Sequence, residues 1–350
     1  MTWLTWRQFR TQAITVYAGI LVLAIFLAAT GRQLLRLTQG DPELAVQDVS
    51  DAQAVIYLVS AAVVVLLPAI IGAFWGAPLV TRELEAGTHR LVWNQSVTRT
   101  RWLAVKLGLI GATAMAAAAL FSLAVTWWAG PIDRLAEFVG DSGLPLRISP
   151  LLFDSRGVAP AGYAAFAFVL GVTVGILVRR TLPAMALTLT IFTVVQIAVP
   201  LWVRPHVVPP VQQTAAITQT AEIGRFEVQL GEVLVIEAST PIGAWVHTNE
   251  ILDPSGRAVE RVPARVGDCA FSGPGKGADS QGTAQGTGPD SQDPVLRCLD
   301  SLADLGYRQH VAYHPASSFW ALQWAETGMY LGLSLLLTGL SFRWTRHRLS

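Results

Sequence analysis

Long apolar runs separated by polar segments are the main feature of the chain. Six of these runs reach or approach the length of about 20 apolar residues that a helix needs to cross a bilayer. They occupy residues 14–30, 54–80, 102–128, 161–178, 182–203 and 319–342. The pattern predicts an all-α polytopic membrane protein with six transmembrane helices, of which the first five lie within residues 14–203.

The longest polar segment, 204–318, separates the fifth and sixth predicted helices. Within it, "RFEVQLGEVLVIEAST" alternates and is rich in Val and Ile, which predicts one or two strands. The stretch 271–294 is rich in Gly, Ser, Pro and Asp and has few apolar residues to bury, so it is predicted to be disordered. We expect a small insertion that is partly β and partly disordered.

The composition agrees with a membrane location. The chain of 350 residues is 52% hydrophobic and 14% charged, with a mean hydropathy of +0.45. A soluble domain has about 25% charged residues, so two soluble domains are disfavoured. The net charge of +1 implies no bulk attraction to nucleic acid, and the lipid bilayer is the expected partner.

Arginine residues mark one side of the predicted membrane. They concentrate in the short segments 1–13, 81–101, 179–181 and 343–350, where Glu83 and Glu85 are the only acids. Short loops rich in Lys and Arg stay in the cytoplasm. Both termini, including the basic tail 343–350, are therefore predicted to lie in the cytoplasm of a bacterial cell, with the protein in the plasma membrane.

Three segments then fall on the outer side: 31–53, 130–160 and 204–318. The first two are rich in Gly, Pro, Asp and Arg, as exposed connections are. The stretch "PLLFDSRGVAP" within the second shows no cluster of ligand side chains. We expect both of these loops to be plain exposed connections.

The N-terminal stretch "MTWLTWRQFRTQ" is amphipathic. It places Trp3, Trp6 and Phe9 beside Arg7 and Arg10, which predicts a cytoplasmic interfacial helix over 1–13 with its Trp rings at headgroup depth. An ordinary start of the first span with interfacial anchors is equally compatible. A cleavable signal peptide is disfavoured, because the following apolar run exceeds the usual 7–15 residues.

Motifs for catalysis or cofactor binding are missing from the sequence. "GPGKG" at 273–277 differs from a phosphate-binding loop, because no Ser or Thr follows Lys276. There is no zinc motif and no nucleophile elbow, and the six His residues are scattered. We therefore expect a protein that is not an enzyme and that binds no metal or cofactor of its own.

Polar residues inside the predicted spans are few. Glu326 and Gln323 lie in the sixth span, Gln196 lies in the fifth, and Lys106 is close enough to the cytoplasmic end of the third to snorkel. Gln196, Gln323 and Glu326 are candidates for a polar pathway. The favoured alternative is that Glu326 reaches interfacial water or pairs with an outer arginine, because one carboxylate near an interface does not make a proton relay.

The two cysteines, Cys269 and Cys298, flank the predicted disordered stretch on the outer side. Disulfides persist outside the cell, so a bridge between them is favoured. Two unpaired thiols are the alternative, because the sequence does not establish that they are close together.

The segment 81–106 has more internal structure than a simple connection needs. Thr81 is predicted to cap a helix whose first turn holds Glu83 and Glu85, where acids favour the helix dipole. Gly87 permits a turn after it. A short helix with Leu91 and Trp93 follows, and Ser96 or Thr98 is expected to cap the third span.

This segment resembles the cytoplasmic loop between the second and third spans of ABC exporter permeases of the type 2 family, and the two ends of the chain resemble actinobacterial members. The positions that carry the resemblance in the loop are Glu83, Glu85, Gly87, Thr88, Leu91, Trp93, Ser96, Arg99 and Lys106. It implies a permease subunit that pairs with a second permease copy, as a homodimer or heterodimer, and with two cytoplasmic ATP-binding cassette ATPase subunits. ATP and magnesium would bind in those ATPases, and the loop and the N-terminal helix would receive their motion. The outer segment 204–318 is larger than is typical of that family, which leaves the substrate open.

Two other functions remain as alternatives to an exporter permease. The first is a membrane-anchored extracellular binding or immunity protein that works through 204–318. The second is an independent secondary transporter that uses Glu326. The three functions differ in whether an ATPase is needed and in whether transport depends on protons.

Overall fold

The computed structural model describes residues 2–37, 51–87, 98–138, 146–216, 223–229, 232–238, 243–259, 262–263 and 302–347. The chain forms two compact units, one of Met1–Val208 with Ser317–Ser350 and one of Pro209–Ala316. The stretch 271–294 and the residues Cys269, Cys298, Thr88, Leu91, Trp93 and Ser96 lie outside the described residues. The predicted disorder, disulfide and short coupling helix therefore stay predictions.

The first unit is a bundle of helices. Its elements are α1 (Thr2–Leu37), α2 (Asp51–Ile71), α3 (Ala77–Glu85), α4 (Arg99–Phe138), α5 (Pro150–Phe153), α6 (Ala159–Val178), α7 (Thr181–Ala198), α8 (Arg204–Val207) and α9 (Phe319–His347). Five-residue π-helical turns, Gly72–Gly76 and Val199–Val203, join α2 to α3 and α7 to α8.

Five helical stretches among the described residues are long and apolar enough to cross a membrane. They are Phe9–Arg32, Ala52–Glu85, Arg99–Ala136, Ala159–Val178 and Thr181–Val207, which correspond to the first five predicted spans. The sixth predicted span lies in α9, which is not among these stretches, so the count of six stays a prediction.

The first helix shows no break between the predicted surface helix and the first span. α1 is continuous from Thr2 to Leu37. Trp3 and Trp6 are exposed, and the guanidinium of Arg7 lies 5.3 Å from the centre of the Trp3 ring. Phe9 is buried edge-on against Trp75. The N-terminal turns are thus anchored to the bundle by Phe9, while the Trp side chains point away from it.

α6 is the central helix of the bundle, and 83% of the residues in its most apolar stretch are buried. Its small residues let neighbouring backbones approach closely. A Cβ on Gly72 would lie 2.7 Å from the carbonyl oxygen of Ala167, and one on Gly175 would lie 2.8 Å from that of Ala77. The glycines of the second and fourth predicted spans therefore serve helix packing, as small residues commonly do in membrane bundles.

The expectation of a plain exposed loop over 130–160 is wrong. α4 continues to Phe138, and the chain from Leu152 to Gly157 is buried inside the bundle. Leu152 and Phe153 supply the apolar contacts that hold this stretch, and its charged side chains pair with charges on the helices. The composition of this stretch led to the wrong expectation, because composition does not show which charged side chains are paired.

The second unit is built from antiparallel strands. They are β1 (Val211–Ala216), β2 (Ile223–Gln229), β3 (Glu232–Ala238), β4 (Trp245–Leu252), β5 (Ala258–Val259), β6 (Val262–Pro263) and β7 (Arg308–His314). One sheet has the order β1-β7-β4-β5 and the other β2-β3-β6. The alternating sequence that predicted one or two strands contains most of β2 and β3; the other strands were not predicted.

Candidate functional site

A buried ionic cluster joins three separate parts of the bundle. Arg204 of α8 lies between two carboxylates, Glu326 of α9 and Asp154, which follows α5. Its Nε donates to Oε2 of Glu326 at 2.8 Å and its Nη2 to Oε1 at 3.0 Å, which is the bidentate geometry that strengthens an arginine–carboxylate pair. Nη2 also donates to Oδ1 of Asp154. All three side chains are buried.

Neighbouring polar side chains complete the cluster. The Tyr163 hydroxyl of α6 lies 2.7 Å from Oε1 of Glu326 and 3.1 Å from Oδ1 of Asp154. Nε2 of Gln196 on α7 donates to Oδ2 of Asp154 at 3.1 Å. Because each carboxylate has several partners, the desolvation cost of burying it is partly offset.

The cluster holds more negative than positive charge. Two carboxylates share one guanidinium, so ionisation of both acids leaves a formal charge of −1 in a buried site. Burial raises the pKa of Asp154 to about 6, the nearby Glu326 carboxylate adds to the increase, and Arg204 opposes it. The protonation of Asp154 therefore changes at mildly acidic pH.

Gln323, one of the predicted pathway residues, is hydrogen-bonded to three backbone groups. Its Oε1 accepts hydrogen bonds from the backbone N–H groups of Val158 at 3.1 Å and Ala159 at 2.8 Å. Its Nε2 donates to the carbonyl oxygen of Phe153 at 3.0 Å. Gln323 thus ties α9 to the first turn of α6, where backbone donors otherwise lack partners.

The structure brings the three predicted pathway residues close together and adds partners that the sequence did not reveal. Glu326 pairs with an arginine at the start of the predicted outer segment, as the favoured alternative expected. It is only 2% exposed, so it does not reach interfacial water. The second carboxylate, Asp154, was missed. The apolar residues around it in "PLLFDSRG" were the available signal, because a charge flanked by core residues needs a partner.

At the other end of the bundle, the predicted coupling residues also have partners within the chain. Nζ of Lys106 on α4 lies 2.5 Å from Oε1 of Glu83 on α3 and 4.6 Å from the centre of the Trp102 ring. Lys106 is 4% exposed, so the expectation that it snorkels to the surface is wrong. An acid within reach lets the ammonium stay buried.

Glu85 holds the start of α7. Its Oε1 accepts from the backbone N–H of Thr181 at 2.8 Å, and its Oε2 accepts from the hydroxyl of Thr181 at 2.7 Å. This contact is a capping interaction supplied by another helix, and it satisfies a donor that the first turn of α7 leaves free. The two acids therefore link α3 to α4 and to α7.

The local structure around these acids corrects one capping prediction and confirms two others. Thr81 is not an N-cap, because the helix runs through it and its hydroxyl donates to Ala77. Gly87 adopts a φ of +67° directly after the helix ends, which glycine accepts easily. Thr98 caps α4, since its hydroxyl accepts from the N–H of Arg101 at 3.3 Å. Arg99 is the first residue of α4.

A bundle with five stretches apolar enough to cross a bilayer, tied together by buried ion pairs, defines the class of helical integral membrane proteins. The model of the ABC-2 membrane transporter related family matches residues 10–204, more than half of the chain, and the chain belongs to that family. Membership implies partnership with ATP-binding subunits in general. No curated protein and no solved structure is significantly similar to the chain.

Proposed function

We propose that the chain is the transmembrane permease subunit of an ATP-binding cassette exporter. It moves an amphipathic or hydrophobic substrate outward by alternating access, while separate ATPase subunits bind ATP and magnesium and hydrolyse the ATP. The observation that carries this proposal is the family match over residues 10–204, which covers nearly all of the five candidate spans and the segment 81–101. The chain itself supplies no catalytic residue in this scheme.

In this scheme α9 is the sixth span, and both termini are cytoplasmic. A helix of 29 residues is about 43 Å long at 1.5 Å per residue, which exceeds a hydrocarbon core of about 30 Å. Four polar side chains along it face the bundle: Gln323, Glu326, Ser334 and Ser341 are all buried. Leu335 and Leu336 are exposed, as lipid-facing residues would be. The low overall hydropathy of α9 therefore reflects its inner face.

Coupling is proposed to run through the two acidic links of α3. Closure of the ATPase subunits pushes the segment 88–98 and the start of α1. Because Glu83 holds Lys106 and Glu85 holds Thr181, movement of α3 is passed to α4 and α7. The same links make Glu83→Ala and Glu85→Ala poor tests of partner binding, since both changes alter the bundle itself.

A sharper test uses the predicted coupling residue Trp93. The tagged chain is expressed with an ATP-binding cassette ATPase encoded beside it and is purified in detergent. Trp93→Ala should lose most of the bound ATPase at an unchanged melting temperature. Trp202→Ala is the matched control, because Trp202 is a 72% exposed tryptophan at the far end of the fifth candidate span, and it should retain the ATPase. Equal retention by both variants would contradict the proposed contact, and a wild-type chain that captures no ATPase would contradict the proposed function.

The buried cluster favours a second candidate, an independent secondary transporter. Ionisable residues inside a membrane bundle often mark proton or substrate pathways, and Asp154 and Glu326 lie on the same guanidinium. In that case transport by the chain alone responds to a proton gradient, and Glu326→Gln abolishes the response. Transport that requires ATP and ignores the gradient excludes this candidate.

A further inference from the structure

A second group of charges borders a cavity of about 190 Å³. Its walls include Asp133 and Arg134 at the end of α4, Arg147 and Arg156 from the connection to α6, and Phe319 and Trp320 at the start of α9. The volume is that of roughly six water molecules, at about 30 Å³ each. It is large enough for a small polar group such as a phosphate.

The charges on the walls favour an anion. Three arginines and one aspartate give a formal charge of +2. Asp133 already accepts a hydrogen bond from the Tyr57 hydroxyl at 2.7 Å and lies 3.4 Å from Nε of Arg156, so it offsets only part of the positive charge. Guanidinium groups recognise phosphate and carboxylate oxygens in preference to other acceptors.

Arg156 is the most informative residue of the cavity. It is 0% exposed, and its guanidinium is held in place 4.8 Å from the centre of the Tyr57 ring. Its Nη2 makes no hydrogen bond to any residue within the described part of the chain. A buried charged donor without an acceptor is costly, by more than the roughly 1–3 kcal/mol of a neutral one. An oxygen atom of a bound anion would remove that cost.

The surroundings of the cavity indicate that the anion is carried by a lipid. Trp320 on its wall is 49% exposed, and Trp127 and Trp324, about one turn away on α4 and α9, are also exposed. Exposed tryptophans are typical of the depth at which lipid headgroups lie. Phe319 packs under the guanidinium of Arg147, with 5.0 Å to the ring centre, so the cationic wall continues directly into an aromatic one.

We propose that this cavity binds the phosphate of a phospholipid headgroup, with Arg134, Arg147 and Arg156 as its ligands and the lipid tails along the exposed tryptophans. Free inorganic phosphate offers the same oxygen atoms to the guanidiniums and is the other source of this chemistry. The site is separate from the Asp154–Arg204–Glu326 cluster, and the proposal does not depend on an ATPase partner.

The test uses the full-length purified protein in a neutral detergent and three probes: short-chain phosphatidic acid, the diacylglycerol with the same chains, and inorganic phosphate. Affinity is measured by native mass spectrometry and by the rise in melting temperature. Phosphatidic acid should bind and stabilise the protein, whereas diacylglycerol, which lacks only the phosphate, should not. Inorganic phosphate that competes with equal affinity would assign the site to free phosphate instead of lipid.

Two arginine variants make the test specific. Arg134→Gln should weaken phosphatidic acid at least tenfold, and because Arg134 is exposed the fold should be unaffected. Arg156→Gln should have the same effect if it folds. Arg101→Gln, an exposed arginine at the opposite end of the same helix, should bind as the wild type does. Unchanged affinity in Arg134→Gln, an equal loss in Arg101→Gln, or equal binding of diacylglycerol would overturn the proposal.

Discussion

Arg204 is the residue on which the buried cluster depends. It is the only cation that contacts Asp154 and Glu326 among the described side chains, and it also contacts the carbonyl oxygen of Pro150 and the ring of Phe153. Its removal leaves two acids in a buried site with no compensating charge. Such a loss is far more damaging than loss of an exposed ion pair.

Arg204→Met should therefore lower the free energy of unfolding by roughly 3–5 kcal/mol, the range found when one partner of a buried pair is removed. Arg257→Met is the control, because Arg257 is paired with Asp253 but its side chain is 83% exposed, and it should change stability by less than about 0.5 kcal/mol. Unfolding in mixed micelles measures both. A similar small effect in both variants would show that the buried cluster contributes little.

The raised pKa of Asp154 predicts that the stability of the protein depends on pH. Its pKa is raised from 3.8 to about 6, first by burial, so between these values the folded protein holds a proton that the unfolded chain releases. The contribution of this group to stability is therefore full below about pH 4, declines as the pH rises to about 6 and is constant above. The difference in stability between wild type and Asp154→Asn should decline over the same window.

Asp253→Asn is the control for this pH effect, because the pKa of Asp253 is shifted in the opposite direction from that of Asp154. Hydrogen bonds from the Ser255 hydroxyl and the Arg257 backbone lower the pKa of Asp253, so its contribution is present above about pH 4 and is lost as the pH falls further. A flat difference for Asp154→Asn between pH 4 and pH 6 would contradict the buried, carboxylate-rich surroundings of Asp154.

At the scale of the elements, α6 owes its central position to small residues. A Cβ on Gly171 would overlap the carbonyl oxygen of Gly72 and lie 2.8 Å from the backbone nitrogen of Ala77. These are backbone atoms, which cannot rotate away as a side chain can. The contact between α6 and the Gly72–Gly76 turn therefore requires glycine at this point.

Gly171→Ala should destabilise the protein by about 1–3 kcal/mol, as overpacking does. Gly332→Ala in α9 is matched to it, because a Cβ there meets nothing within 4 Å. That change should be neutral or stabilise by up to about 1 kcal/mol, the difference in helix propensity between the two residues. Thermal unfolding of the two variants side by side tests the packing, and an equal response would contradict it.

The helices could be predicted from the sequence, but the interior of the bundle could not. Apolar runs of sufficient length indicated the first five spans, and Gly87 and Thr98 marked a helix end and a helix start through their local chemistry. The other two charged members of the cluster, Arg204 and Glu326, lie 50 and 172 positions from Asp154 in the sequence. Sequence patterns report neighbours within a few turns, so this cluster needed the three-dimensional structure.

The same limit applied to the acids of the predicted coupling loop. The family resemblance implied that they belong to a surface for a partner, yet Glu83 contacts Lys106 and Glu85 contacts Thr181 inside the same chain. Neither contact is visible in local periodicity. The role of this loop in binding an ATPase stays a prediction. The residues from Thr88 to Ser96 are now the ones expected to make that contact.

At the scale of the whole molecule, the chain is a member of the ABC-2 membrane transporter related family with a bundle of apolar helices and a separate β-rich unit, Pro209–Ala316. The buried charges join helices far apart in sequence at both ends of the bundle. We propose that these links allow the bundle to move as connected elements when a partner subunit applies force at one end.

The rate of ATP hydrolysis by the partner ATPase, with and without this chain in proteoliposomes, tests the central proposal most directly. The chain should bring the ATPase to the membrane and raise its magnesium-dependent turnover severalfold, and Trp93→Ala should abolish the increase while Trp202→Ala preserves it. Turnover that is the same with and without the chain, together with an ATPase that stays in solution, would contradict a role as its permease.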